Sequence, residues 1–302
     1  MRIIAVEDLA PGMILASPIY SNKGKLLLTK NAVLKETYMS KLEDLEIKYI
    51  YIYDELSKDI EIHDVIERKH MMRAFNALRQ KNYDMCVVVA SYIVGDLINN
   101  LSDLPNMKQL QLFDDYTFNH SFHVATLCTM VGIELGYNEE RLQKLAMAGF
   151  MHDIGKEKIP IGIINKKGKL TDDEYRIIQT HPVLGYEMVK DRVSIPATVK
   201  HAILYHHENE DGSGYPEGKT GASLHEFAKI VHICDVYDAM VSRRSYKDEL
   251  NPADVLEYLF ANAGLMFDVH MVRAFKNAVF PYTTGSVLTA LPDTSSRQVP
   301  KD

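Results

Sequence analysis

The sequence is poor in cysteine and in long hydrophobic runs, and both absences narrow the class of protein. Its 302 residues include three cysteines (Cys86, Cys128 and Cys234), and none of them belongs to a CxxC pair. We therefore expect reduced, buried thiols rather than a disulfide framework or a thiolate zinc site. No run reaches the roughly 18 apolar residues of a membrane span, and the N-terminus carries acids where a signal peptide has an apolar core. These features predict a cytoplasmic protein without a membrane span.

The chain also lacks an excess of positive charge. Its formal net charge is −7 at pH 7, with 25% charged and 46% hydrophobic residues. An acidic balance disfavours nucleic acid as a partner, but it allows a small anionic ligand because the local field governs such binding. The length suffices for one large domain and a smaller one, each with its own core.

The first 58 residues predict a small α+β module. Apolar residues at helical spacing between Leu34 and Leu45 predict one helix. Short apolar or aromatic runs, separated by turn signals, predict strands in four places: 3–6, 13–16, 26–28 and 48–53. No cluster of catalytic residues is visible in this module.

The rest of the chain has helical patterns. Residues 59–107 carry apolar side chains at intervals of three, four or seven, which predicts long helices that link the module to the remainder and suit a homodimer interface. Residues 108–302 predict a domain of consecutive helices, with a polar tail from about 282. The expected fold class is therefore mainly α: an all-helical domain preceded by a small α+β domain.

Helix starts in the second half of the chain have clear signatures. Thr171 stands three residues before Glu174, which is the spacing of a capping box. Pro182 follows His181 and suits the first turn of a helix. Asn251 precedes Pro252 and suits an N-cap. We expect helices to begin at all three places.

The segment from His206 to Pro216, HHENEDGSGYP, is the densest group of chemically active residues in the chain. Neighbouring residues on a helix point about 100° apart, so the two histidines cannot easily share one metal through a single helical face. They could serve two adjacent metal ions, or they could lie where a helix ends in the tight loop that Gly212 and Gly214 predict. A polar helix end followed by a turn is the simpler alternative for this pair taken alone.

Other candidate ligands lie at separate places in the helical half. His120, His152, Asp153, His181 and Asp235 each lie in or beside an apolar helical run, where an unpaired polar group would be costly. Five imidazoles and two carboxylates suit a site for two divalent ions of Fe, Mn or Zn. Each histidine alone could equally be a core or surface residue, as we expect for His123, His201, His225, His232 and His270. His232, three residues before Asp235, is the main rival ligand, and Asp238 is interpreted as supporting a ligand rather than binding metal.

Together these motifs resemble the HD-GYP family of metal-dependent phosphodiesterases, a branch of the HD superfamily. The resemblance extends over roughly 114–280. It comprises HDIGK at 152–156, HHExxDGSGYP at 206–216, and DVYDA at 235–239, which is followed by Arg244 and Lys247. The resemblance implies an all-helical catalytic domain that hydrolyses cyclic di-GMP to pGpG or GMP in bacterial signalling. The first 58 residues are similar, more weakly, to a small domain often fused ahead of HD-GYP domains.

The resemblance also implies roles for individual residues. Asp153 would bridge the two ions, and the metal ligands would be His120, His152, Asp153, His181, His206, His207 and Asp235. Lys156 would act on the scissile phosphate, so that Asp153 and Lys156 form the catalytic pair. Tyr215, Arg244, Lys247 and Asp114 would contact the substrate. From the residues alone, Arg244 and Lys247 could be a solvated basic face, Tyr215 a loop anchor, and Asp114 a solvated acid at a helix start.

One position bears on the number of metals. Some relatives with three metals have a glutamate four residues before the first ligand histidine, where this chain has Tyr116. A tyrosine is a poor ligand at neutral pH because its hydroxyl keeps its proton. We therefore predict two divalent ions of Fe or Mn, with Zn or another metal as the alternative. Asp114 or Asp115 could compensate for the missing glutamate.

The motifs leave two other functions open. One is a cyclic-dinucleotide receptor with little turnover, and the other is an HD hydrolase of another nucleotide phosphate. The expected partners are cyclic di-GMP, a second copy of the chain through the helices before 107, and a diguanylate cyclase through the GYP loop.

Overall fold

The fold is taken from a computed structural model, which describes residues 2–16, 18–20, 26–44, 47, 49–53, 70, 73, 76, 77, 80–99, 116–166, 168–241 and 250–279. Two hydrophobic clusters divide these residues. A small cluster lies in the N-terminal module, and a large cluster lies among the helices that follow it. Residues 21–24, whose Ser-Asn-Lys-Gly sequence is one of the turn signals between the predicted strands, lie outside the described residues, as does the polar tail from 282.

The N-terminal module is an antiparallel sheet with one helix. Strand β5 (Tyr49–Tyr53) lies between β1 (Arg2–Ala5) and β2 (Ile14–Leu15), and it pairs antiparallel with both. A separate pair joins β3 (Ile19–Tyr20) to β4 (Leu26–Leu28). The predicted strands and α+β character are confirmed, whereas the two-residue β3 was not foreseen.

Helix α1 (Glu36–Asp44) completes this module. Its buried Leu42 belongs to the same cluster as Leu15, Leu34 and Ile52, and each of these four side chains is at most 2% exposed. Because strand side chains alternate between two faces, the apolar residues on one face of the sheet can enter this core together.

The described part of the linking region contains a helix break at Lys81. Lys81 has a positive φ of 54°, and the N–H of Asn82 donates to the carbonyl of Ala77 at 2.8 Å. This is the pattern of a helix that ends in a left-handed residue. The Asn82 side chain then accepts a hydrogen bond from the N–H of Met85, and α2 (Tyr83–Asn99) begins. Since neither glycine nor proline marks this break, the apolar spacing of the sequence did not locate it.

The described residues from 116 onward form helices and loops, with one isolated β-bridge between Ala263 and Phe267. The mainly α fold is therefore confirmed. The α-helices are α3 (Tyr116–Glu134), α4 (Glu139–Met151), α5 (Ile161–Ile164), α6 (Asp172–Ile178), α7 (His181–Val189), α8 (Ala197–Tyr205), α9 (Glu226–Val241), α10 (Pro252–Ala261) and α11 (Val269–Val279). Short 3-10 turns occupy Ile154–Lys158 and Gly221–Ser223.

The predicted helix starts are confirmed. Thr171 accepts a hydrogen bond from the N–H of Glu174, and the Glu174 side chain accepts one from the N–H of Thr171, so both halves of the capping box are present. Asn251 caps α10 by accepting from Ala253 at 2.9 Å. Helix α7 begins at His181 with proline in its first turn. These caps satisfy N–H groups that have no partner inside their helices.

The large core is built around the packed pair α3 and α4. All three cysteines lie in it, buried and unpaired as predicted. Gly149 of α4 faces the Ala125 backbone and the Cys128 sulfur of α3 so closely that an added Cβ would lie 2.9 Å from the Ala125 Cα. The two helices therefore approach each other more closely than any larger residue at Gly149 would allow.

None of the helices in the described part of the chain combines the length and apolar character needed to cross a bilayer.

Two helical glycines should respond oppositely to alanine. Gly149→Ala should lower the free energy of unfolding by about 1–3 kcal/mol, because the methyl group must push α3 and α4 apart. Gly95→Ala in α2 should raise it by about 0.5–1 kcal/mol, because a Cβ there meets no atom within 4 Å and alanine favours the helix. Chemical denaturation of both variants checks the pair, and equal effects would contradict the described packing.

Candidate metal centre

The seven predicted ligands converge from five helices and their ends. His120 lies in α3, His181 opens α7, and Asp235 lies in α9. His152 and Asp153 follow the last residue of α4, and His206 and His207 follow the last residue of α8. Helix ends bring side chains together here because the chain turns away immediately after them.

A close glycine contact brings two of these helix ends together. A side chain at Gly155 would overlap the carbonyl oxygen of His181, and it would also meet the backbone nitrogen of Gly185 in α7. Glycine at 155 thus lets the turn after Asp153 touch the start of α7. His181 Nε2 consequently lies 3.2 Å from Asp153 Oδ1.

The Nε2 atoms of His181 and His206 face each other in the cluster. His181 Nδ1–H donates to the carbonyl of Ile178 at 2.8 Å, and His206 Nδ1–H donates to that of Ile203 at 3.0 Å. A neutral imidazole has one N–H, so the Nε2 atom of each ring carries a lone pair. The two Nε2 atoms lie 3.3 Å apart. Two lone pairs cannot hydrogen-bond each other, whereas a cation accepts both.

His152 and Asp153 add buried atoms that no hydrogen bond satisfies. His152 Nδ1–H donates to the carbonyl of Gly149 at 2.7 Å, which leaves a lone pair on Nε2. That Nε2 atom and Asp153 Oδ1 are both buried without a hydrogen-bond partner. Buried polar atoms are usually satisfied, so such orphans at the centre of a cluster indicate a place for an ion.

Three overlapping sets of side chains place their donor atoms within 4.8 Å of one another. Within the part of the chain that the structure describes, these sets contain all seven predicted ligands and no other residue. The sets are His181, His206 and His207; His120, His152 and Asp153; and His152, His206 and Asp235. Nitrogen and carboxylate donors in this arrangement fit divalent transition metals.

The protonation states of four donors also fit a metal. Burial opposes ionisation of Asp153 and Asp235, but the neighbouring imidazoles outweigh it, with Lys156 contributing at Asp153, and hold the pKa of each carboxyl well below its usual range. Burial is the main cause that keeps the pKa of His206 and His207 well below the ordinary value. Metal binding needs ionised carboxylates and neutral imidazoles. Both are present at neutral pH.

His120 is held between carboxylates on both sides of its ring. Its Nε2 lies 3.0 Å from Asp235 Oδ1, and its Nδ1 lies 2.8 Å from Asp238 Oδ2. Burial lowers the pKa of His120, but these two carboxylates outweigh it and raise the pKa to about 9, so a metal ion bound at Nε2 would have to displace a proton. Asp238 also lies 3.1 Å from His123 Nδ1. A carboxylate on the outer nitrogen of an imidazole orients the ring, as the supporting role expected of Asp238 requires.

The rival histidine lies outside the three sets. His232 is 5% exposed, and its ring is hydrogen-bonded to the backbone of Glu208. Burial lowers its pKa to about 4, so the ring is neutral. It packs 4.9 Å from the ring of Phe267, measured between centroids. The ring of His232 thus contacts the backbone of Glu208, and His232 does not belong to the three donor sets.

Lys156 lies at the edge of the centre. Its Nζ is 2.5 Å from Asp153 Oδ2, and its side chain is 31% exposed while that of Asp153 is 4% exposed. The ammonium group therefore stands between the buried donors and solvent. From there it can meet an anion that approaches the cluster.

Tyr215 packs against one donor of the cluster. Its ring stacks on the imidazole of His207, with centroids 4.6 Å apart and an angle of 22° between the planes. The N–H of Tyr215 donates to the carbonyl of His207 at 3.1 Å. Burial raises the pKa of the Tyr215 hydroxyl, which stays protonated. The GYP loop is thus in direct contact with a candidate ligand.

Several predicted positions lie outside the described residues. Asp114, Arg244 and Lys247 are among them, and so is the side chain of Tyr116, although its backbone begins α3. Sequence reasoning in turn did not foresee the role of Glu208, which is 2% exposed and accepts two backbone hydrogen bonds. Its place directly after two candidate ligands was the only signal available.

Comparison with known proteins agrees with this geometry. Residues 97–271 match the model of the HD domain family, which is more than half of the chain. The chain belongs to the HD domain family. Its histidine and aspartate cluster lies inside the matched range, and the metal dependence of HD domains agrees with these donors.

Two relatives are named for an enzymatic activity. A cyclic di-GMP phosphodiesterase from Pseudomonas aeruginosa is 35% identical over 196 residues, which make up 65% of this chain and 47% of that protein. A cyclic di-GMP phosphodiesterase response regulator from Xanthomonas campestris is 41% identical over 153 residues, or 50% of this chain and 40% of that protein. This chain spans less than half the length of either relative.

A solved structure supports the HD fold over most of the chain. The protein from Bdellovibrio bacteriovorus described as an HDG"Y"P protein superimposes with a TM-score of 0.63, covering 91% of this chain and 98% of that one. At 17% identity this likeness concerns the fold alone.

Metal retention tests the cluster without reference to activity. Asp153→Ala should lose bound metal by roughly tenfold or more, because it removes a carboxylate at the middle of the donors. Asp173→Ala is the matched control, since that side chain is 87% exposed and pairs with Arg176 on the surface. Metal quantification after anaerobic purification checks both variants. Full metal content in Asp153→Ala would contradict the assignment.

Proposed function

We propose that this protein is an HD-GYP phosphodiesterase that hydrolyses cyclic di-GMP to pGpG or GMP. The observation that carries the proposal is the buried seven-donor cluster, which Lys156 contacts at Asp153 and the GYP loop contacts at His207. The two relatives are both named as cyclic di-GMP phosphodiesterases, which supports the same substrate.

The proposed metal ligands are the seven donors of the cluster, with Asp153 between the two ions. Divalent ions bound there would supply Lewis acidity toward a phosphate oxygen and lower the pKa of an attacking water. The protein's own part is to hold the donors in fixed orientations. The carbonyls of Gly149, Ile178 and Ile203 do so for three imidazoles, and Asp238 does so for His120.

Lys156 is the proposed electrostatic partner of the reacting phosphate. Its ammonium contacts Asp153 and faces solvent, so an incoming phosphodiester meets a positive charge beside the donors. Negative charge accumulates on the phosphoryl oxygens as the bond to the leaving oxygen breaks, and a fixed cation stabilises it.

Four residues are proposed to contact the substrate. Tyr215 presents an aromatic ring against His207, where it can contact the cyclic dinucleotide. Arg244 and Lys247 would hold phosphate oxygens, and Asp114 would accept a hydrogen bond from a guanine edge. These three roles rest on the sequence motifs.

The finer proposals extend the motif assignments. We propose two Fe or Mn ions, because Tyr116 stands where a third site would use a carboxylate. The proposed domain division is 1–58, 59–107 and 108–302. A homodimer through the helices before 107, a diguanylate cyclase partner at the GYP loop and a cytoplasmic location complete the set.

Turnover of cyclic di-GMP by the anaerobically purified protein tests the function. Under single-turnover conditions the wild type should convert the substrate to pGpG or GMP. Tight binding without product would favour a receptor, and preferential hydrolysis of other nucleotide phosphates in a substrate panel would favour another HD hydrolase. Either result would contradict the proposal.

Lys156 offers a sharper test of the mechanism. Lys156→Ala should lower kcat by roughly 10²–10³-fold, as expected when a cation at the developing charge is removed. Metal content should stay unchanged because Lys156 donates no lone pair to an ion. Lys158→Ala is the matched control, two residues away and exposed. An unchanged kcat in Lys156→Ala, measured by product formation, would contradict this role.

A further inference from the structure

Glu208 is a buried acid that the proposed mechanism does not use. It follows His206 and His207 directly, yet it is 2% exposed. Its Oε1 accepts a hydrogen bond from the backbone N–H of Glu217 at 2.7 Å, and its Oε2 accepts one from that of Lys219 at 3.0 Å. Both oxygens of the carboxylate are therefore committed to the chain just after the Gly-Tyr-Pro sequence.

The loop between these anchor points is closed tightly on itself. A side chain at Gly214 would overlap the backbone of His207, Glu208 and Asn209. The N–H of Tyr215 returns to the carbonyl of His207. Only glycine fits at this approach, so the loop can pass directly against the residues that follow α8.

The closed loop has one functional consequence, which is the placement of Tyr215. Glu208 fixes the chain after Tyr215, and the His207 carbonyl fixes the N–H of Tyr215 itself. The tyrosine ring is thereby held parallel to the His207 imidazole. Two charge-assisted hydrogen bonds to backbone N–H groups make this anchor stronger than neutral contacts would.

A metal-binding role for Glu208 does not fit the same geometry. None of the donor sets found among the described residues includes it. Its two oxygens point to the Glu217 and Lys219 amides, and its backbone is hydrogen-bonded to the buried His232. A carboxylate with both oxygens engaged in this way acts on the loop rather than on an ion.

We propose that Glu208 is the positioning residue of the GYP loop, which holds Tyr215 against His207 so that the ring can contact the substrate. Its effect on kinetics rests on the proposed function, whereas its effect on the loop does not. A single acid next to the candidate ligands thus ties substrate binding to the metal centre through the backbone.

Amide hydrogen exchange tests the loop without reference to activity. In Glu208→Gln one oxygen acceptor becomes an NH₂ group that cannot accept, so the amide that faces this group, that of Glu217 or that of Lys219, should exchange about tenfold faster or more. Glu217→Gln is the matched control. Its side chain is 48% exposed and contacts Lys219 and Tyr205, while its N–H still donates to Glu208. Unchanged exchange in Glu208→Gln would overturn the proposal.

Kinetics then separate positioning from a merely structural role. Glu208→Gln should raise KM for cyclic di-GMP by about tenfold, with kcat and metal content changed less than about twofold, because substrate contact is lost and the donors stay in place. In a Tyr215→Ala background the same substitution should add nothing further, since residues that act as a unit are not additive. Additive effects, or metal loss in Glu208→Gln, would overturn the proposal.

Failure of the proposed function and failure of the role of Glu208 give different results. If the wild type does not hydrolyse cyclic di-GMP, the proposed function fails, and the exchange measurement still decides the role of Glu208. If Glu208→Gln does not fold, exchange in the wild type decides it. The amides of Glu217 and Lys219 should then be more protected than that of Ser213, which donates to the Asp211 side chain in the exposed turn. Equal rates would overturn the proposal.

Discussion

The structure depends on a repulsion between buried lone pairs that a bound cation relieves. His181 and His206 point lone pairs at each other across 3.3 Å, because backbone carbonyls have taken the proton-bearing nitrogen of each ring. His152 is oriented in the same way, and Asp153 Oδ1 is buried beside it without a hydrogen bond. Such a cluster is costly unless charge of the right sign enters it. The surrounding core is built to hold these donors in place despite that cost.

The scaffold meets this demand with helix ends and glycines. Ligands at the ends of α4 and α8, and at the start of α7, lie where backbone groups need partners and the chain changes direction. Gly155 permits the contact that sets His181 beside Asp153, and Gly214 permits the loop that sets Tyr215 on His207. The second of these contacts is where Glu208 links substrate binding to the metal centre. The positions of the candidate ligands and the packing of the backbone therefore depend on the same two glycine contacts.

The sequence predicted the donors better than their supports. Histidines beside apolar runs indicated ligands because a buried polar group needs a reason, and all seven occur together in the described structure. The capping box at Thr171 was also predicted, because threonine followed by glutamate three residues later is a specific pattern for the start of a helix. Glu208 and the break at Lys81 were missed. The first depends on hydrogen bonds to amides nine and eleven residues away, and the second on a backbone angle adopted without glycine or proline. Spacing along the chain reports neither.

The measurement that tests the central claim most directly is the metal content of the wild-type protein, purified without oxygen and without added metal. If the facing imidazoles exist to hold cations, each chain should retain two divalent ions with histidine nitrogen among their ligands, as X-ray absorption at the metal edge would show. A protein that is folded and free of metal, with no uptake of Fe, Mn or Zn when these are supplied, would contradict the account.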